Sequence, residues 1–292
     1  MSRHLGNAGA EILKDAVDPA LKDGHYATKQ IFCKDPLIAW SHRRRFETGL
    51  RLAARFAGKR ILDYGCGDGT FLALLSEGPS APADALGVEI DQFQVSDCQT
   101  RLGRRPGLHF ALDTTLDDDA ERGQYDGVVC MEVLEHVVVL DSVIDRLWRA
   151  LAPRGTLLVS VPVETGLPLL AKQAARRVAG WRGIGDYPGT SPYTLGEYWR
   201  SVWAGERQHL VRPVYGADRA SPFHDHKGFN WMALRARLRA QFVEEQTVAS
   251  PLPWLGPHLA TQVWFVLRKP IEDRQSEGSR SSAPGPRARM PV

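Results

Sequence analysis

The stretch "RILDYGCGDGTFLALL" (Arg60–Leu75) leaves an apolar run, crosses a glycine-dense turn that carries acids, and resumes with apolar residues at helical spacing. Gly65, Gly67 and Gly69 sit where a strand hands over to a helix. Glycines there let the backbone approach a ligand closely, and the helix N-terminus adds a positive partial charge. A dinucleotide fingerprint needs G-x-G-x-x-G, whereas this turn reads G-x-G-x-G with Thr70 where the third glycine would stand. Asp63 and Asp68 flank the same turn. Carboxylates there repel a pyrophosphate and attract an ammonium group, so the turn suits a ligand with a cationic amino-acid end and no phosphate.

Working outward, short apolar runs alternate with helical patterns. "KRILDY" (59–64), "DALGVEI" (84–90), "GLHFAL" (107–112), "YDGVVC" (125–130) and "GTLLVSVP" (155–162) read as buried strands. "TFLALLSE", "QFQVSDCQTRL" and "LEHVVVLDSVIDRLWRAL" read as the helices between them. That rhythm predicts right-handed crossovers and a doubly wound α/β fold with a mainly parallel, seven-stranded sheet. A helix over 230–242 and two late strands, "FVEEQTVA" and "TQVWFVLRK" (261–269), joined by a proline-rich link, predict an antiparallel pair closing the sheet. No internal repeat is apparent.

At the tips of the second and third strands stand further acids. Glu89 in "GVEID" can accept both hydroxyls of a ribose, and Asp113 after "FAL" can meet an adenine amino group. Adenine, ribose and a cationic amino acid together describe S-adenosylmethionine. On "ILDYGCGDGTF", "GVEID", "FALD", "YDGVVCMEVLEHV" and "LWRALAPRGTLLVSVP", in that order, the chain resembles the class I S-adenosylmethionine-dependent methyltransferases over residues 59–165, and more weakly over 226–269. The resemblance implies that Asp63 and the loop Gly65, Cys66, Gly67, Asp68 and Gly69 hold the methionine moiety. It further implies that Glu89 with Ile90 holds the ribose, Asp113 with Thr114 the adenine edge, and that Met131 and Glu132 line the cofactor. Asp91 reads as a helix N-cap instead.

Methyl transfer from a sulfonium is an in-line displacement, so the nucleophile must be held about 3 Å from the methyl carbon. A hydroxyl acceptor also needs its proton removed or its oxygen polarised, by a base or a metal. The candidate is "EVLEH" (132–136): on a helix Glu132, Glu135 and His136 fall on one face. A later block, "FHDHKGFNW" (223–231), supplies His224 and His226. Glu135, His136 and His226 are the predicted catalytic group. Glu-x-x-Glu-His plus the downstream Asp-His-Lys block is similar to the RNA 3′-terminal ribose 2′-O-methyltransferases, which implies a divalent metal on Glu132, Glu135, His136 and one of the two later histidines, His226 ahead of His224. Gly228 interrupts the later block and departs from that pattern. The other readings are His136 as a base or acceptor-orienting residue without metal, and a structural role for the whole cluster.

The remaining features bound the function. The chain has 292 residues, 43% of them hydrophobic, and 37 basic against 34 acidic residues for a net charge of +3. That balance gives no push toward nucleic acid, and no apolar run approaches a bilayer span. "MSRHLGNAGAEILKDAVD" lacks the apolar core of a signal peptide, so the expected location is the cytoplasm. Cys33, Cys66, Cys98 and Cys130, with no CxxC pair, read as reduced thiols. The expected organisation is a helical cap over 1–56, a methyltransferase domain over 57–269 with a substrate-cap insertion at 163–225, and a disordered tail over 270–292. In the cap, Tyr26, Trp40 and Arg43–Arg45 are placed to contact the cofactor carboxylate or an acceptor phosphate. In the insertion, Lys172, Arg176, Arg177 and Arg182 form the basic face of an amphipathic stretch over 166–182. That face suits either solvent or an anionic membrane. Trp181, Tyr193, Trp199 and Trp203 suit an apolar or sugar-stacking pocket. The expected activity is O-methylation of a small polar or lipid- or sugar-linked metabolite. The alternatives are an RNA ribose methyltransferase and a non-catalytic cofactor-binding scaffold.

Overall fold

A computed structural model of the chain describes residues 18–181, 191–216 and 221–271, with the backbone alone for 175–181. The tail from 272 onward, and Arg182 of the basic stretch, lie outside the described residues. Five strands, β1 (Arg60–Tyr64), β2 (Asp84–Glu89), β3 (Leu108–Leu112), β4 (Tyr125–Met131) and β5 (Leu151–Pro162), pair in parallel in the order β3-β2-β1-β4-β5. A short two-stranded ribbon follows, β6 (Val214–Tyr215) with β7 (Phe223–His224). The strands β8 (Val243–Ser250) and β9 (Gln262–Arg268) then complete a seven-stranded sheet, β9 lying antiparallel to both β5 and β8. The predicted α/β sheet with its antiparallel closing pair is what the chain forms.

Seven longer helices accompany it: α1 (Pro36–Ala53), α2 (Thr70–Glu77), α3 (Gln92–Leu102), α4 (Leu140–Ala150), α5 (Gly166–Trp181), α6 (Leu195–Val202) and α7 (Trp231–Gln241). Their starts follow local chemistry. Asp35 accepts the N–H groups of Leu37 and Ile38 with Pro36 in the first turn, Asp91 caps α3 through Phe93 as expected, and Asn230 caps α7 through Met232 and Ala233. One face of the sheet packs α1, α2 and α3 around Phe46, Phe56, Phe71 and Trp264; the other packs α4 and α7 around Tyr125, Trp231 and Phe265. Burying both faces explains why the inner strands read as unbroken apolar runs. Among the described residues, no helix is long and apolar enough to cross a membrane.

Two expectations need correction. The helix predicted from Leu134 begins only at Leu140, and residues 132–136 form a non-helical turn. The run Val137-Val138-Val139 is β-branched and poor in helix propensity. Val137 instead bridges Phe223 in β7, and His224 donates its N–H to the carbonyl of His136. Strand β5 starts at Leu151 rather than 155, passing Arg154 at a φ of 63°. Between β3 and β4 the chain runs through short 3₁₀ turns, Asp113–Asp117 and Asp119–Glu121.

The order β3-β2-β1-β4-β5 reverses direction between β1 and β4. In open α/β sheets that reversal opens a crevice at the carboxyl ends of the strands. The glycine loop leaves β1 there and the "EVLEH" turn leaves β4, so the topology delivers both motifs to one place.

Close packing behind the crevice is testable at Gly127 on β4, where a Cβ would lie 2.4 Å from the Phe56 ring. Gly127→Ala is expected to cost about 1–3 kcal/mol of unfolding free energy. Adding Phe56→Leu should recover part of that loss, read by chemical denaturation of the single and double variants.

Candidate active site

The glycine loop is left-handed at every glycine, with φ of 71°, 56° and 72° at Gly65, Gly67 and Gly69. Space is as tight as the dihedrals: a Cβ at Gly65 would lie 2.4 Å from Val133, and one at Gly69 would lie 2.8 Å from Leu102 and Phe110. Around this loop the predicted acids divide. Glu89 accepts the N–H of Gly67 at 3.0 Å with one oxygen and that of Ile90 at 2.8 Å with the other. Asp68 is buried and turned inward, accepting the N–H groups of Tyr26 and Ala27 at 2.8 Å each. Arg101 braces the same join, donating to the carbonyls of Ala20 at 2.7 Å and Asp68 at 2.8 Å. The side chain of Asp68 thus fastens residues 25–30 over the loop and does not face a ligand.

Asp63 is the acid left at the crevice. It is 2% exposed, and burial first, then the charges of Glu89 and Asp68, push its carboxyl up to about 8. An acid so placed is a position that a cation would relieve. Of the three arginines in "RRR", Arg43 donates to the carbonyl of Ile31 and Arg44 pairs with Glu47. Arg45 is buried and lies 3.4 Å from Glu132, and its Nε has no hydrogen-bond partner. Arg45 Nη2 donates to Gln30 Oε1 at 2.6 Å.

At the far end, Asp113 and Thr114 stand in the 3₁₀ turn after β3, but Asp113 is already paired with Arg146 at 2.8 Å, and Arg146 also holds Asp117. Met131 is half-buried at the end of β4. Glu132 has a φ of 57°, a left-handed residue that is not glycine. Its carboxylate accepts from Ser160 at 2.9 Å and from Gln262 at 3.3 Å. Those partners tie it to β5 and β9.

Beyond Glu132 the turn brings Glu135 and His136 up to His226, which enters from the loop before α7. One potential ligand atom from each of these three lies within 4.8 Å of the others. Glu132 is not part of that group, because 132–136 is not helical. Glu135 is wholly buried with neither carboxylate oxygen hydrogen-bonded, and burial pushes its acid well above the usual carboxylate range. His136 holds its Nδ1 2.8 Å from the carbonyl of His224, and burial lowers its basicity. The His224 ring faces away, to the carbonyl of Pro213.

Two residues beside this cluster escaped the sequence reading. Glu164, 1% exposed just past β5, pairs with Lys172 at 2.8 Å and approaches His226 at 3.8 Å. The signal for it was an acid directly after a buried apolar strand, in "VSVPVET". Arg212 donates to the carbonyls of Glu135 and Asp225 beneath the turn; nothing in its local sequence marks it. Lys172 is therefore turned into the site and is not part of a solvated basic face, while the side chains of Arg176 and Arg177 lie outside the described residues. Trp199 and Trp203 are exposed, so they do not line a closed pocket. Tyr193 accepts the N–H of Gly228.

A family model described as a methyltransferase domain matches residues 37–204. The chain belongs to this family. With membership comes the methyl donor, S-adenosylmethionine. Among curated relatives of this methyltransferase, the ubiquinone biosynthesis O-methyltransferase of Bradyrhizobium diazoefficiens is 32% identical over 40% of this chain and 45% of its own length. That of Marinobacter nauticus is 38% identical over 36% and 44%. The chain thus spans less than half the length of these relatives. Of solved structures, the PH0226 protein of Pyrococcus horikoshii aligns with a TM-score of 0.53 at 15% identity, covering 84% of this chain and 98% of that one. The CurJ carbon methyltransferase aligns at 0.50 and 16%, covering 91% and 66%. Both speak for the fold alone.

Asp63 gives the cofactor site a pH signature. Burial pushes its carboxyl up to about 8, and an ammonium group bound beside it would require it ionised, so binding there is expected to release a proton at neutral pH. Affinity for S-adenosylmethionine should then rise between pH 6 and 7.5, by at most about tenfold per pH unit. Calorimetry in two buffers of different ionisation enthalpy reads the proton, and Asp63→Asn should abolish its release and cost about 2 kcal/mol or more of binding. Equal affinity at the two pH values would refute this role.

Proposed function

We infer that the chain is an O-methyltransferase that moves a methyl group from S-adenosylmethionine to a hydroxyl of a small polar or lipid- or sugar-linked acceptor. The observation that carries the reading is the meeting of Glu135, His136 and His226 at the carboxyl end of β4, directly past the residues facing the cofactor crevice. In this reading Asp63 and Arg45 take the two ends of the amino-acid moiety, the backbone of Gly65–Gly69 lies along it, Glu89 takes the ribose, and Asp113 with Thr114 borders the adenine. When bound, the cofactor supplies a methyl group on a sulfonium, ready for attack from the opposite side.

A hydroxyl oxygen attacks only as its proton leaves. His136 is built to receive that proton. Its Nδ1 faces a carbonyl, which can only accept, so the ring's own hydrogen sits on Nδ1 and Nε2 carries a bare lone pair. Its lowered basicity keeps the ring neutral at physiological pH. Support for oxygen as the nucleophile comes from the relatives named as O-methyltransferases, over the portion of the chain they match. Residues 163–225, which contribute α5, α6 and the ribbon, would form the acceptor-facing cap.

The same three residues favour a second reading, in which a divalent cation sits between them and polarises the acceptor oxygen. Two imidazoles and one carboxylate within mutual reach suit a transition metal. The two readings separate in one assay with methyl-labelled cofactor and hydroxyl-bearing acceptors. His136→Ala should lower kcat by about 10²–10⁴-fold while leaving KM for the cofactor unchanged. Activity abolished by a chelator and restored by a divalent ion selects the metal; activity indifferent to chelation selects His136 as the base. Full activity in His136→Ala would overturn both.

A further inference from the structure

Glu164 is a buried charge with an unusual neighbourhood. Lys172 donates to its Oε1 at 2.8 Å, and the same ammonium is held by the carbonyls of Val163 at 3.1 Å and Thr261 at 3.2 Å. Three oxygen acceptors surround the Lys172 amine, and one of them belongs to Glu164, its ion-pair partner at 1% exposure. Nδ1 of His226 lies 3.8 Å from that same Oε1. The separation is in the ion-pair range and longer than a hydrogen bond. A fixed negative charge facing one ring nitrogen makes that nitrogen the favoured place for the proton. Carboxylates and carbonyls behind a functional imidazole set the tautomer and ring orientation in this way. His136, whose ring centroid lies 4.9 Å from that of His226, has the same polarity by a different means, through the carbonyl of His224.

We propose that Glu164, clamped by Lys172, is a positioning residue that holds His226 in its Nδ1–H tautomer and turns its Nε2 toward Glu135 and His136. Two bare imidazole nitrogens and one carboxylate then face a common point, where an acceptor hydroxyl or the cation that polarises it is received. The weight of this arrangement in catalysis rests on the O-methyltransferase reading above; the tautomer itself does not.

The test is long-range ¹H–¹⁵N correlation spectroscopy of the full chain labelled at histidine, joined to steady-state kinetics. In the unmodified protein His226 should be the Nδ1–H tautomer. Glu164→Gln should shift it toward Nε2–H or a mixture while His136 stays unchanged as an internal reference, and Glu164→Asp should recover most of the original state. Lys172→Met, which leaves the carboxyl but removes its clamp, should move His226 in the same direction as Glu164→Gln. In the transfer assay Glu164→Gln should lower kcat about 10–100-fold, the range seen when groups behind a functional imidazole are removed, with KM for S-adenosylmethionine unchanged. An Nε2–H tautomer in the unmodified protein, or an unmoved tautomer in both variants, overturns the proposal. So does a shifted tautomer with full kcat. If the unmodified protein methylates no hydroxyl acceptor, the functional reading falls, and the spectra still decide whether Glu164 sets the ring.

Discussion

The closeness of Gly65 to Val133 is the constraint on which the rest of the site depends. Strands β1 and β4 are paired neighbours, with Asp63 opposite Val129, and the loops leaving them must share the crevice where the sheet order reverses. They share it by contact: a single methyl group on residue 65 would lie 2.4 Å from Val133. The turn after β4 is bent to meet that contact, with Glu132 in the left-handed region. Such a conformation costs a non-glycine residue about 1–2 kcal/mol, offset here by the bonds from Ser160, Gln262 and Arg45 to the Glu132 carboxylate. Cofactor cradle and acceptor cluster are two sides of one packed junction.

Four buried acids line that junction and are handled in four ways. Asp68 is satisfied by backbone N–H groups and braces the chain. Asp63 is pushed up to about 8 by burial first and then by the charges of Glu89 and Asp68. Glu135 has neither oxygen hydrogen-bonded and favours its neutral form. Glu164 is ion-paired with Lys172. A fold selected for stability alone would not bury acids with raised pKa values side by side, and local rules broken at one place in a structure mark where function resides.

Much of this was legible in the sequence because it is local. The glycine spacing, the acids at the strand tips and the alternation of strands and helices each depend on a few consecutive residues, and the sheet follows from them. Glu135, His136 and His226 could be grouped from residue type and from their expected place after β4. A helical period over 132–136 groups Glu132 with Glu135 and His136, whereas β-branched valines and the bridge to Phe223 hold a turn there and Glu132 lies outside the three-residue cluster. What sequence could not reveal is long-range: Asp113 tied to Arg146, Asp68 turned away from the crevice, Arg45 chosen from three adjacent arginines, and Lys172 buried against Glu164. Each is decided by a partner at least eight residues away and by burial, neither of which has a signature in composition or period.

The hydrogen bonds from Tyr26 and Ala27 to Asp68 bear on how far the chain can be trimmed. Removing the residues before Pro36 would not merely uncover the crevice. It would strip two donors from a carboxylate that is 4% exposed and take away the Tyr26 ring that lies against Gly67. A buried acid deprived of its donors costs more than the bonds themselves were worth, so the shortened chain would loosen first at the glycine loop. Residues 25–30 are, in energetic terms, a wall of the crevice.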